Sequence, residues 1–309
     1  MAHYLVTGGA GFIGSNVAIE LVRRGETVRI IDDFSTGRKE NLEEILDKVE
    51  FIEGDICDPD LIKRAVSDVD YVLHQAAIPS VARSVEDPIT TNRANVTGTL
   101  NLLIASRDAG VKRVVFASSS SIYGDSPTLP KTEDMPPDPL SPYAASKLIG
   151  EYYCKIFQNL FGLETICLRY FNVFGPRQDP TSEYAAVIPI FITAVASDRQ
   201  PTVYGDGLQS RDFTFIENVI EANLLACSAP KEATGQVYNI ACGECFTLLD
   251  LLDQLGRILN KKPQPLFEPP RPGDVKHSLA DISRAESHLS FEPKVSFTEG
   301  LRRTVPWFT

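Results

Sequence analysis

The stretch Thr7-Gly8-Gly9-Ala10-Gly11-Phe12-Ile13-Gly14 constrains this chain more than any other. It follows the apolar run Tyr4-Leu5-Val6 and opens an amphipathic stretch from Ser15 to Arg24. A strand, a glycine turn and a helix, in that order, form the setting a dinucleotide-binding loop requires. The glycines read both as Gly9-x-Gly11-x-x-Gly14 and as Gly8-x-x-Gly11-x-x-Gly14. One permits the tight turn, one lets backbone approach a pyrophosphate, and one lets helix and strand pack closely. The helix start offers unpaired N–H groups and the positive end of its dipole. Gly8, Gly11, Phe12, Ile13 and Gly14 are therefore the first candidate cofactor contacts. Tight strand–helix turns also use glycine without any ligand, so the string draws its meaning from its context.

That context is a repeating beat. Apolar, β-branched runs at 4–6, 27–31, 49–53, 71–74, 113–117 and 165–169 alternate with helical stretches. Near-continuous apolar strands separated by helices mean a parallel sheet covered on both faces. The fold class expected is α/β, a doubly wound, Rossmann-type parallel sheet with a smaller C-terminal α/β portion. Residues 1–172 would form the dinucleotide-binding domain. Residues 173–309, where the beat lapses, would mainly bind substrate, with the chain crossing back between the two.

Charge narrows the partners. Thirty basic side chains against 41 acidic ones leave a net charge of −11. Such a chain is a poor binder of nucleic acid or anionic membrane through its general field, although a local basic pocket is still compatible. No run reaches the roughly 18 apolar residues of a membrane span, since 187–196 is interrupted by Pro189 and Thr193. The N-terminus moves straight into a strand without a basic region or cleavage site, which makes the cytoplasm the default location. The six cysteines are scattered and fit reduced, buried thiols. Cys242-Gly-Glu-Cys245 has metal or redox spacing but lacks a second pair, and reads as two cysteines in a turn before a helix near Thr247. No metal site is expected.

In a doubly wound sheet ligands lie at the carboxyl ends of the strands. Asp32 and Asp33 follow strand two. An acidic side chain there can accept hydrogen bonds from adenosine ribose and repels a 2′-phosphate, which favours NAD over NADP, with nearby Arg38 keeping NADP open. Asp55 and Ile56 follow strand three, where a carboxylate can reach the adenine amino group. His74-Gln75-Ala76-Ala77 ends strand four, and small Ala76 and Ala77 let backbone lie against a cofactor. His74 itself reads as structural. A helix from Asn92 to Arg107 carries Asn95, placed to hold a loop or the nicotinamide side of the site. Strand five ends in Ser118-Ser119-Ser120-Ser121, an unusual density of hydroxyls for a parallel core, which a self-satisfied polar turn also explains. After a Pro-rich loop, Ser141-Pro142 signals a helix start. Tyr143 and Lys147 are then four apart and share one helical face. A Lys ammonium near a phenol lowers its pKa, giving a proton acceptor at neutral pH.

Taken together, these residues resemble the extended branch of the short-chain dehydrogenase/reductase superfamily, and within it the nucleotide-sugar 4-epimerases. The resemblance runs over essentially the whole length. It implies that Tyr143 is the catalytic base, that Lys147 is its partner and also holds the nicotinamide ribose, and that Ser119, or Ser120 beside it, is the catalytic hydroxyl. Ser80, Ser120 and Ser121 would touch the sugar. Asn172, in Leu168-Arg169-Tyr170-Phe171-Asn172, would bind the substrate diphosphate, and Ala186 and Val187 would line sugar and phosphate. Tyr204 lies in a strand that resembles the uracil-facing one. Arg211 and Arg271 resemble a pair of phosphate-binding arginines, whose forked guanidinium matches phosphate oxygens. Asp274 would take the uridine ribose. Ser278 would border the C2 substituent, where a small residue goes with tolerance of an N-acetyl group. Sugar 4,6-dehydratases of this branch carry an Asp-Glu pair where Ser120 and Ser121 stand here, which argues for epimerisation.

The implied activity is reversible 4-epimerisation of UDP-hexoses, UDP-GlcNAc/UDP-GalNAc and UDP-Glc/UDP-Gal, with resident NAD and a homodimer built from the helices starting near Asn92 and Tyr143. One rival is a UDP-glucuronate 4-epimerase or decarboxylase, for which no cationic contact to a C6 carboxylate stands out. Another is a non-catalytic NAD-binding scaffold or sensor, against which the intact Ser/Tyr/Lys set speaks.

Overall fold

The computed structural model describes residues 1–179, 186–270 and 276–309. Six parallel strands appear where the apolar runs stand: β1 (His3–Thr7), β2 (Thr27–Asp32), β3 (Glu50–Glu53), β4 (Tyr71–His74), β5 (Arg113–Ser119) and β6 (Glu164–Tyr170). A seventh, Gln236–Ile240, comes back from the second half and pairs in parallel with β6. The order across the sheet is Gln236–Ile240, β6, β5, β4, β1, β2, β3. Strand order reverses between β1 and β4, which are neighbours in register, Thr7 opposite His74. That reversal opens a crevice at their carboxyl ends, where ligands of doubly wound sheets bind.

Helices cover both faces. On one side α1 (Phe12–Arg23) and the later helix Ile216–Ser228 enclose Val6, Val17, Leu73, Val115 and Leu168; on the other, α2 (Pro59–Ala65), α5 (Gly98–Ala109) and α6 (Pro142–Phe161) enclose Leu5, Val72, Val114 and Phe116. Successive residues of one strand thus feed opposite cores, as two-sided burial demands. Between β4 and α5 lie α3 (Val81–Glu86) and α4 (Pro88–Asn92).

Two local readings differ from the sequence expectation. Helix α1 begins at Phe12, not Ser15, so Phe12, Ile13 and Gly14 form its first turn. The single helix expected from Asn92 is divided: α4 ends at Asn92, a π-helical turn spans Arg93–Thr97, and α5 follows. The buried Asn95 in that turn accepts from Ile78 N at 2.8 Å and donates to Ser146 Oγ at 3.0 Å. No helix among the described residues is long and apolar enough to cross a membrane.

Candidate active site

A cavity of about 700 Å³ lies over the switch point. Its floor is the glycine turn. Gly8 has φ +66°, and a Cβ there would lie 2.6 Å from Ala76 Cα. A Cβ on Gly14 would lie 2.2 Å from the Gly8 carbonyl oxygen. Gly11 is the N-cap of helix α1 and no side chain caps it, so the uncapped helix start, Gly11 to Gly14, borders the cavity. A cradle that glycine alone leaves open, closed by an uncapped helix start, fits the pyrophosphate of NAD.

Asp32, Asp33, Asp55, Ile56, Ala76, Ala77 and Ser80 all border this cavity. Asp32 is buried, and one oxygen accepts from Ala10 N at 2.9 Å while the other accepts from Phe34 N at 2.8 Å. Each oxygen keeps a second lone pair for a ribose hydroxyl. Burial raises the Asp32 pKa above its ordinary value, opposed by those two N–H groups. Arg38, which kept NADP open, pairs with Asp179 at 2.6 Å. Asp55 pairs with Arg93 at 2.8 Å. Ser80 caps α3 by accepting from Arg83 N. Asn95 lines no part of the cavity; its amide clamps Ile78, which does, from behind.

His74 is structural, as its sequence setting suggests. Its Nδ1 bonds Thr7 Oγ1 at 2.7 Å and its Nε2 bonds Thr99 Oγ1 at 2.9 Å. Burial, together with the charge of Lys147, pushes its pKa down to about 3. The neutral ring ties the residue before the glycine turn to α5.

The four serines separate into distinct roles. Ser118 is buried and donates to Glu151 Oε1 at 2.5 Å, away from the site. Ser119 Oγ accepts from Ser121 Oγ at 2.9 Å and from Ser121 N at 3.2 Å, and its hydroxyl draws the Tyr143 pKa downward. One direction differs from the expectation: the Tyr143 pKa lies above its ordinary value, where the nearby lysine was expected to lower it. Burial raises it, and only the Ser119 hydrogen bond acts downward. The reason is geometric. Lys147 donates to the buried Ala117 carbonyl at 2.8 Å and its nitrogen lies 5.9 Å from the Tyr143 ring centre. Its own burial pushes it down to about 8.

A second cavity of about 490 Å³ collects the residues expected for the nucleotide of a substrate. Asn172, Ala186, Val187, Tyr204 and Arg211 all line it, although they are spread over forty positions of sequence. Asn172 sits in the left-handed region at φ +35° and donates to the Asp212 carbonyl at 3.1 Å. Ala186, which lines both cavities, links them. Ser278 is buried, donates its N–H to Ser210 O at 3.0 Å, and lines neither cavity. Arg271 and Asp274 lie outside the described residues.

Three residues of this region carried no sequence signal. Glu151 forms a buried, bidentate pair with Arg169 behind Ser118. Asp212 is fully buried beside Arg211. Arg177 borders the first cavity and donates to Asn16 Oδ1 at 3.1 Å. Their partners lie too far off in sequence for spacing to reveal. Among the described residues no His/Cys/Asp/Glu group is arranged to hold a metal, and Cys242 and Cys245 are free thiols.

Comparison with known proteins agrees with this geometry. The family described as "NAD dependent epimerase/dehydratase family" matches residues 4–241. The UDP-glucose 4-epimerase of Mycolicibacterium smegmatis is 41% identical over 308 residues, covering 98% of this chain and 97% of that one. Among solved structures, the UDP-N-acetylglucosamine 4-epimerase of Methanobrevibacter ruminantium in complex with UDP-N-acetylmuramic acid is 42% identical, with a TM-score of 0.95 and coverage of 99% and 98%. The UDP-glucose 4-epimerase of Thermus thermophilus in complex with NAD is 39% identical, with a TM-score of 0.90 and the same coverage.

Proposed function

Because this chain belongs to the NAD-dependent epimerase/dehydratase family, we propose that it interconverts UDP-hexoses at C4, acting on UDP-GlcNAc/UDP-GalNAc and on UDP-Glc/UDP-Gal. The observation that carries the reading is a cradle shaped for NAD that shares Ala186 with a second cavity holding the diphosphate candidates, and the Ser119 hydroxyl acting on the Tyr143 phenol supports it.

NAD supplies the redox chemistry that takes C4 to the ketone level and back. The chain supplies the rest. Tyr143 exchanges the proton of the sugar 4-hydroxyl, with Ser119 hydrogen-bonded at the same place. Lys147 holds the end of β5 against α6 and so fixes the distance between the two hydroxyls. Asn172 and Arg211 hold the diphosphate, which leaves the sugar ring free to turn and present its other face. Arg271 joins this grip, Asp274 takes the uridine ribose, and Ser278 leaves room at C2. Ser120 and Ser121 carry no carboxylate, so the groups for eliminating water are missing.

The assembly we propose is a homodimer. Helix α6 exposes Tyr152, Ile156 and Leu160 at successive four-residue steps, and Ile89 beside it is 81% exposed. Such a stripe is suited to pairing with its own copy. A Leu160→Glu variant that sediments like the parent chain would refute that assembly.

Coupled assays comparing kcat/KM for UDP-glucose, UDP-GlcNAc and UDP-glucuronate test the substrate. The uronate is expected to be the poorest; a preference for it overturns the reading. Tyr143→Phe is expected to abolish turnover with UDP-sugar binding retained, and near-normal activity removes Tyr143 from the mechanism.

A further inference from the structure

Asp212 is a fully buried carboxylate, 0% exposed. One oxygen accepts from Cys242 N at 2.9 Å; the other accepts from Gly243 N at 3.1 Å and Ala280 N at 3.2 Å. Its own carbonyl accepts from Asn172 Nδ2 at 3.1 Å. A single residue thereby joins three stretches that are far apart in sequence. Its carboxylate is held by backbone amides, and the nearby charge of Glu244 opposes it. Burying a carboxylate in this way is costly, and fold adhesion alone is served more cheaply by apolar contact.

Of the three stretches, the one with Asn172 borders the second cavity. Asn172 and Arg211 line it. Arg211 follows directly on Ser210, and its guanidinium donates to Ser210 O at 3.0 Å and Lys276 O at 3.2 Å. The 276–280 stretch is pinned on one side by Ser278 N to Ser210 O and on the other by Ala280 N to Asp212. Asn172 is held in a left-handed conformation, which persists only where surroundings over-determine it.

We infer that Asp212 is a positioning residue for nucleotide-sugar binding: its carboxylate locks the Cys242–Gly243 turn and Ala280 around Asn172 and Arg211, so that the diphosphate grip is formed before the ligand arrives. The inference rests on the reading above that Asn172 and Arg211 hold the diphosphate. Asp212 touches neither sugar nor cofactor and acts only through these two residues.

The test separates binding from chemistry. Asp212→Asn keeps size but turns an NH2 toward amide donors, leaving at least one buried donor unpaired. An unpaired buried donor costs about 1–3 kcal/mol, or about 5- to 150-fold in affinity. KM for UDP-glucose, and its Kd measured by calorimetry, are expected to rise by that factor, while kcat and the amount of retained NAD stay unchanged. Unaltered UDP-glucose affinity in folded Asp212→Asn protein overturns the inference, as does a fall in kcat with KM unchanged. Should the variant not fold, hydrogen exchange in the parent chain decides. UDP-glucose is then expected to slow the amides of Cys242, Gly243 and Ala280, because coupling between sites is reciprocal, and unchanged rates overturn it. If the parent chain itself binds no UDP-glucose, the functional reading fails, not only the role of Asp212.

Discussion

Lys147 gives its hydrogen bond to the Ala117 carbonyl, 2.8 Å away, while its nitrogen sits 5.9 Å from the ring of Tyr143. The lysine is therefore a strut between α6 and the end of β5, and the phenol beside it is governed by burial. The titration of Tyr143 in the protein freed of NAD and sugar follows. Subtracting the near-ultraviolet titration of Tyr143→Phe from that of the parent chain should leave no phenolate band below pH 10, the ordinary value that burial raises. A phenolate that appears near neutral pH in that difference would mean that Lys147 does lower the phenol after all.

Behind the same strand end, Glu151 accepts from Arg169 Nε at 2.8 Å and Nη2 at 2.7 Å, and from Ser118 Oγ. Both charged side chains are about 5% exposed or less. Removing one partner of such a pair strands a buried charge and costs about 3–5 kcal/mol. For a chain of this size, Glu151→Ala is expected to lower Tm by about 5–15 °C. The double change Glu151→Met with Arg169→Leu should recover most of that loss, since neither charge is left alone. A double variant as unstable as the single one would show that the pair is itself stabilising.

The extent to which these features were legible in the sequence follows from the distance over which each is determined. Strand β5 was readable as 113–117 because alternate residues must fill two apolar cores, and the structure extends it only to Ser119. The spacing of Tyr143 and Lys147 revealed their shared face, but the depth of both depends on the packing of β5, which spacing does not encode. The strand Gln236–Ile240 takes its place beside β6 through a pairing across about seventy residues, which no local pattern encodes. The π-helical turn at Arg93–Thr97 holds Asn95, whose partners Ile78 and Ser146 lie 17 and 51 positions away. Asp212 and Glu151 were missed for the same reason: an isolated carboxylate announces nothing until distant donors converge on it.

Gly14 offers a local test of the cofactor cradle. A methyl group there would lie 2.2 Å from the Gly8 carbonyl oxygen and 2.8 Å from Gly9 Cα. Both neighbours are backbone, so the turn itself has to move. Gly14→Ala is expected to yield protein purified without NAD, read from the absorbance of the released nicotinamide, together with a loss of activity that added NAD restores only in part. Stoichiometric NAD in purified Gly14→Ala would mean that the close approach of helix and turn is not what shapes the site.

Two buried groups pull the acid stability of this chain in opposite directions. His74 is 1% exposed and its pKa is pushed down to about 3 from 6.5. Below pH 6.5 the unfolded chain takes up a proton that the folded chain refuses, so stability is lost as pH falls, by about 1.4 kcal/mol per unit down to pH 3. Asp212 is pushed up to about 6 from 3.8. The folded chain accepts that proton first, so stability is gained as pH falls from 6 to 3.8 at a similar slope. Between pH 7 and pH 5 the gain offsets only part of the loss. His74→Gln removes only the loss, and Asp212→Asn removes only the gain. Denaturant midpoints at the two pH values should therefore separate: relative to the parent chain, His74→Gln becomes more acid-tolerant by roughly 2 kcal/mol at pH 5 and Asp212→Asn less so by roughly 1 kcal/mol. If both variants shifted the same way, the buried imidazole and the buried carboxylate would not be titrating as their surroundings require.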